Sequence, residues 1–242
     1  MEEVLRPENF CVSYTGERES LDVVKAQLRD QKVLFNGQKP ESVKQAPCIK
    51  KNEAFKTSGQ VQYVAQNGNF RKKGLEYTGA LEILKVILSY DYLWINLRVK
   101  GGAYGCMSGF KRNGESFLVS YRDPHLKRTL EVYQGVPDYI RAFEADEREM
   151  TKYIIGTISN KDVPRTPQMQ GSISKTAYFS NVTEDMLQKE RNQILGAQKE
   201  DIQKLAALVE AVLSDDQICV VGSETAIEKA EDVFMEVKPL IG

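Results

Sequence analysis

Two side chains near the middle of the chain have the chemistry of a binding or catalytic pair. Arg98 supplies a permanently charged, fork-shaped cation, and Tyr104 supplies a phenol able to donate a hydrogen bond. They bracket the run Arg98-Val-Lys-Gly-Gly-Ala-Tyr104-Gly, in which Gly101, Gly102 and Gly105 crowd together. A cation and a phenol held at one junction can both point at one ligand. Other chemistries are thinly supplied. With the single histidine His125, the chain alone cannot assemble a histidine-rich zinc site, and a Ser/His/Asp triad would depend on that one ring. His125 lies in Arg-Asp-Pro-His, a turn signature, so a turn or capping role is expected of it. Cys11, Cys48, Cys106 and Cys219 are scattered and form no Cys-x-x-Cys pair, the usage of reduced thiols in a cytoplasmic protein. Cys106 shares a strand face with Tyr104 and reads as a small hydrophobe, not a nucleophile.

The elements around this pair must bring it together. Asp91 is placed to cap a short helix carrying Leu93, Trp94 and Leu97, all three expected in the core. Gly101 and Gly102 break that helix, because glycine tolerates the backbone angles of a sharp exit. A strand over 103–110 follows, putting Arg98 at a helix end and Tyr104 at a strand start. The preceding segment 75–89 has a wide apolar face (Tyr77, Ala80, Leu81, Leu84, Val86, Ile87, Leu88), as a helix packed across a sheet requires. Residues 103–110 and 116–122 flank Lys-Arg-Asn-Gly and predict a hairpin.

The remaining segments read more simply. Period-two apolar residues predict a strand over 8–15, and a helix follows from Leu21 to about Gln31, then an exposed loop over 36–52. Residues 60–66 form a half-buried strand with Val61, Tyr63 and Ala65 on one face. The basic tip 69–74 is a solvated turn. Helices are expected at 126–145, 146–160 and through most of 168–213. Asp162–Pro167, with two prolines, breaks the chain between them. A strand at 217–221 and a helix from Glu224 close it.

This order predicts an α+β fold with one antiparallel or mixed sheet and helices packed on one face. The break at 162–167 is a candidate domain boundary, but the late strand needs a sheet to join, so 1–242 is taken as a single domain. The 242 residues, of which 41% are hydrophobic, suffice for a sizeable core. The formal net charge of -1 argues against a dedicated nucleic-acid or membrane-surface binder. No apolar run reaches the roughly 18 residues of a membrane span, so a soluble protein is expected.

The run Leu84 to Leu88-Ser-Tyr-Asp-Tyr-Leu-Trp, continuing to Arg98-Val-Lys-Gly-Gly-Ala-Tyr104-Gly, closely resembles the last domain of presequence proteases. These form a branch of the pitrilysin/insulinase zinc metallopeptidases. The resemblance reaches back through Val61-Gln-Tyr-Val and Gly79-Ala-Leu, and more loosely over nearly the whole chain. It implies a metallopeptidase half-domain fold and a role in degrading unstructured peptides. In that family an N-terminal half carries zinc on a His-x-x-Glu-His motif, and the C-terminal half closes over the substrate. The last domain supplies an arginine and a tyrosine, which map onto Arg98 and Tyr104. Tyr104 would be catalytic, both would bind substrate, and Gly101 and Gly102 would set their mutual geometry. The chain has no His-x-x-Glu-His, so zinc is expected only in the full-length enzyme, on the absent N-terminal half of the same polypeptide. This chain alone is expected to be inactive. Two other classes stand beside this reading. One is a non-catalytic protein-binding scaffold of the same family. The other is a nucleic-acid module using Gly102-Ala-Tyr-Gly105 as a GxxG clamp, which is disfavoured because such a clamp joins two helices.

Overall fold

The computed structural model describes residues 11–31 and 49–241. Its helices are α1 (Arg18–Gln31), α2 (Ala80–Tyr90), α3 (Lys127–Gln134), α4 (Val136–Arg141), α5 (Glu147–Lys161), α6 (Pro167–Phe179), α7 (Glu184–Leu195), α8 (Lys199–Gln203), α9 (Ala206–Leu213) and α10 (Glu224–Glu228). The strands are β1 (Glu53–Thr57), β2 (Gln62–Asn69), β3 (Gly105–Phe110), β4 (Glu115–Asp123), β5 (Gln217–Ser223) and β6 (Glu236–Pro239). The chain divides into two compact units, one of residues 1–48 and 163–187 and the other of 49–162 and 188–242.

In the first unit, α6 starts where Thr166 caps the amide of Met169 at 3.3 Å and Pro167 occupies the first turn. The strand expected over 8–15 does not form at residues 11–15, and residues 8–10 lie outside the described residues. Tyr14 instead folds back, its hydroxyl donating to the Glu17 carbonyl at 3.0 Å. Most of the expected 36–52 loop also lies outside the described residues.

The second unit is built on one mixed sheet in the order β3-β4-β2-β5-β1-β6. Neighbours from β3 to β5 are antiparallel, whereas β1 runs parallel to both β5 and β6. The core lies on one side, where Val64, Leu118, Ile218 and Val220 of the sheet are buried with Leu81, Leu84, Ile87 and Leu88 of α2 and Leu208, Val209 and Val212 of α9. Helices therefore cover one face, as the α+β expectation required. The opposite face holds Tyr63, Met107, Phe117, Val119, Cys219 and Val221, all exposed or half-buried.

β2 presents the reverse of its expected face. Val61 and Tyr63 point outward, and the buried positions are Gln62, Val64 and Gln66. The amides survive burial because they are bonded: Gln62 Oε1 accepts the Ser223 N–H at 2.8 Å. Gly222 makes room for this side chain, since a Cβ there would lie 2.0 Å from Gln62 Oε1. Residues 54–66, expected in the sheet, enter it as two strands, β1 and β2; the short strand β6 was not anticipated, and the helix from Glu224 ends after five residues, at Glu228.

Candidate functional site

The site begins where α2 ends. Asp91 closes α2, its N–H bonding the Ile87 carbonyl at 2.9 Å, and stands as expected at the start of the next helical segment, which it opens through its backbone carbonyl, accepting the Ile95 N–H at 2.9 Å, rather than through its side chain. Its carboxylate accepts the Tyr153 hydroxyl at 2.5 Å, fixing the corner against α5. The chain continues as a single π-helical segment, Trp94–Val99, in which the Lys100 N–H reaches five residues back to Ile95 at 2.9 Å. Such segments concentrate at functional sites. Leu93 and Leu97 face the core, but Trp94 does not, being 38% exposed. Its ring instead carries Arg98, whose Cζ stands 4.2 Å from the ring centroid.

The glycines then close the helix with a left-handed glycine cap. Gly102, at φ 78°, donates to the Arg98 carbonyl, and Ala103 donates to Leu97, each at 2.9 Å. Gly101 is required for a different reason, close approach: a Cβ there would sit 2.4 Å from the Leu97 oxygen. Arg128 Nη1 reaches the Lys100 carbonyl at 3.2 Å and ties the exit to α3. The helix cation and the following phenol are thereby folded together. Arg98 Cζ lies 5.9 Å from the Tyr104 ring centroid, and Tyr104 is 59% exposed.

β4 contributes residues that sequence reasoning missed. Gln62 pairs with Asp123 but Val64 with Ser120, so Tyr121 and Arg122 together oppose Tyr63 in a β-bulge. Arg122 adopts φ 48°, a left-handed conformation that costs a non-glycine residue on the order of 1 kcal/mol. Tyr121 meets the Tyr104 ring edge-on at 5.7 Å, and Arg122 Cζ lies 5.5 Å from the same ring. Tyr121 can reach over β3 because residue 105 is glycine; a Cβ there would lie 2.4 Å from its ring. The Tyr104 N–H bonds the Arg122 carbonyl at 3.3 Å. Among the described residues neither Arg98 nor Arg122 is ion-paired. The surface therefore shows an aromatic cluster with two guanidiniums open to an electron-rich group.

Neighbouring residues take the roles expected of them. Cys106 is half-buried, and burial pushes its thiol up to about 11, the nearby Arg98 charge only partly opposing this. His125 is a turn residue: its N–H bonds Asp123 Oδ1 at 2.9 Å, while Thr129 Oγ1 bonds Asp123 Oδ2 at 2.7 Å. Among the described residues no three His, Cys, Asp or Glu side chains group to hold a metal. Nor is any helix among them long and apolar enough to cross a membrane.

The fold is shared with peptidase domains of the pitrilysin/insulinase type. A peptidase M16 inactive domain from Pseudomonas fluorescens superposes with a TM-score of 0.56 at 16% identity, covering 94% of this chain and 52% of that one. The crystal structure of pitrilysin gives a TM-score of 0.55 at 17% identity, over 84% of this chain and 23% of that one.

Residues 52–224 match the family described as the PreP C-terminal domain, and the chain belongs to that family. Protein HypA of Clostridium perfringens is 44% identical over 96% of this chain, and presequence protease 1, chloroplastic/mitochondrial, of Arabidopsis thaliana is 34% identical over 78%. The chain spans 24% and 18% of the length of these relatives.

Proposed function

We propose that this chain is the substrate-binding C-terminal domain, acting as one domain over 1–242, of a zinc metalloendopeptidase that degrades unstructured peptides. The observation that carries the reading is the exposed Arg98–Tyr104 pair, joined by the Gly101-Gly102 turn and free of any acidic partner among the described residues. Arg98, a fork-shaped guanidinium cation, holds a substrate carbonyl or carboxylate. The Tyr104 hydroxyl donates to the carbonyl oxygen as negative charge builds there during hydrolysis. Zinc belongs, in this reading, to an N-terminal half of the same polypeptide; the sequence of this chain has no His-x-x-Glu-His, and among the described residues no three His, Cys, Asp or Glu side chains group to hold a metal. Closure of that half over the peptide would complete the site.

The test is steady-state hydrolysis of a flexible, quenched fluorescent peptide by the whole polypeptide, with zinc content measured. Tyr104→Phe removes one oxygen and is expected to lower kcat/KM on the order of 10²-fold, the usual effect of losing one such donor. Arg98→Ala is expected to raise KM as well. Wild-type rates from Tyr104→Phe would remove Tyr104 from the chemistry. A whole polypeptide that binds peptides but never cleaves them would instead make the protein a scaffold.

A further inference from the structure

The role given to Tyr104 raises the question of what holds its ring. The side chain is largely exposed. Three groups touch the ring: Tyr121 edge-on, the Arg98 guanidinium, and the Arg122 guanidinium. Arg98 is a poor anchor, because it already stacks on Trp94 and must turn to a substrate oxygen when one arrives. Arg122 has no ion pair among the described residues to draw it away.

The backbone is arranged to deliver Arg122 to this position. A regular β4 would send Tyr121 and Arg122 to opposite faces of the sheet. The bulge against Tyr63 aims both at Tyr104. It does so with an arginine at φ 48°, where glycine would be unstrained. The same residue accepts the Tyr104 N–H, so backbone and side chain of Arg122 address one target.

We propose that Arg122 is a positioning residue of the site: its guanidinium, turned over the Tyr104 ring by the β4 bulge, fixes the direction of the phenol hydroxyl. This rests on the role proposed above for Tyr104. Arg98 binds and can leave the ring; Arg122 stays and keeps the phenol aimed.

Two measurements test it. In the 242-residue chain, side-chain couplings of Tyr104 from NMR report its χ1 populations. One rotamer is expected in the wild type and in Arg122→Lys, which keeps a cation over the ring. Averaging is expected in Arg122→Gln and in Arg122→Gly. Arg122→Gly suits the local φ and should melt no lower than wild type, which separates positioning from loss of structure. A single Tyr104 rotamer in both the Gln and Gly variants overturns the proposal, as does averaging in the wild type. In the whole polypeptide, Arg122→Gln is expected to lower kcat about tenfold with KM nearly unchanged, and to add less than about twofold to Tyr104→Phe. Equal losses in the two backgrounds would mean that Arg122 acts without Tyr104, and would overturn it too. If Tyr104→Phe itself is silent, the proposed function falls first, and the role of Arg122 in it falls with it.

Discussion

Replacing Gly101 with alanine should do more damage than replacing Gly102, although only Gly102 has a positive φ. An alanine Cβ at 101 would stand 2.4 Å from the Leu97 oxygen, where ordinary contact begins near 3.4 Å, so about 1 Å must be found. If the Leu97 carbonyl moves by that much, its 2.9 Å bond from Ala103 opens to about 3.9 Å, beyond hydrogen-bonding range. Breaking a buried bond of this kind costs about 1–3 kcal/mol. At Gly102 the nearest atom to a new Cβ is Pro124 Cγ at 3.6 Å, so only the left-handed conformation is penalised, by roughly 1–2 kcal/mol. Gly101→Ala also shifts the link between Arg98 and Tyr104, and in the role proposed for that pair an error near 1 Å can cost about 10²-fold in rate. Trp94, the sole tryptophan, reports both effects. Urea unfolding followed by its emission gives stability, and its native intensity reports whether Arg98 still stacks at 4.2 Å. The expected result is a lower midpoint and altered native emission for Gly101→Ala, with native emission kept in Gly102→Ala. Wild-type midpoint and emission in Gly101→Ala would refute the reasoning.

Cys106 and the buried carboxylate Glu190 give further tests. Because burial raises the Cys106 thiol to about 11, little thiolate exists at pH 8, and a disulfide reagent should modify it slowly, faster as pH rises towards 11. The sign also runs to stability: the folded state holds this proton more tightly, so its contribution is present below the ordinary thiol pKa and lost as pH rises through about 11. Rapid labelling of Cys106 at pH 7 in the folded protein would contradict this. Glu190 on α7 is buried between Arg112 of the β3–β4 hairpin and Lys161 of α5. Glu190→Ala removes a carboxylate shared by two cations and should cost about 3 kcal/mol in urea unfolding. A loss below about 1 kcal/mol would show the cluster to be as weak as a surface pair.

The sequence exposed those parts of the structure that local pattern controls. The apolar face of α2, the Lys-Arg-Asn-Gly hairpin and the late strand at 217 are each written within a dozen or so neighbouring residues, and each forms. β6 is legible only in the sheet. It is short, carries Glu, Lys and Pro, and exists because β1 offers it a parallel partner. The outward turn of Tyr63 follows from interior hydrogen bonds to Gln62 that no periodicity reveals. At the site, Arg98 and Tyr104 were legible because a glycine turn of fixed length joins them. Tyr121 and Arg122 were not, because their aim depends on a bulge created by pairing with β2, distant in sequence. Trp94 was misplaced in the core because a large aromatic normally buries its area, and here an arginine covers it instead.

The π-helical segment at 94–99 makes the arginine stack, more than the frame around it, sensitive to chain length. A π turn is an α turn that has absorbed one extra residue. Deleting that residue would let the segment close to α geometry, leaving α2 before it and the glycine exit after it nearly in place. The loss would fall inside the segment. A deletion between Trp94 and Arg98 would set them three residues apart instead of four and offset the guanidinium from the indole it covers. Homologous chains that keep this stack should therefore keep the residue count between the two positions, while chains without it can lose one residue and still deliver the glycines to β3. A designer moving the Arg98–Tyr104 pair to another scaffold needs the surplus residue to hold Arg98 on its tryptophan.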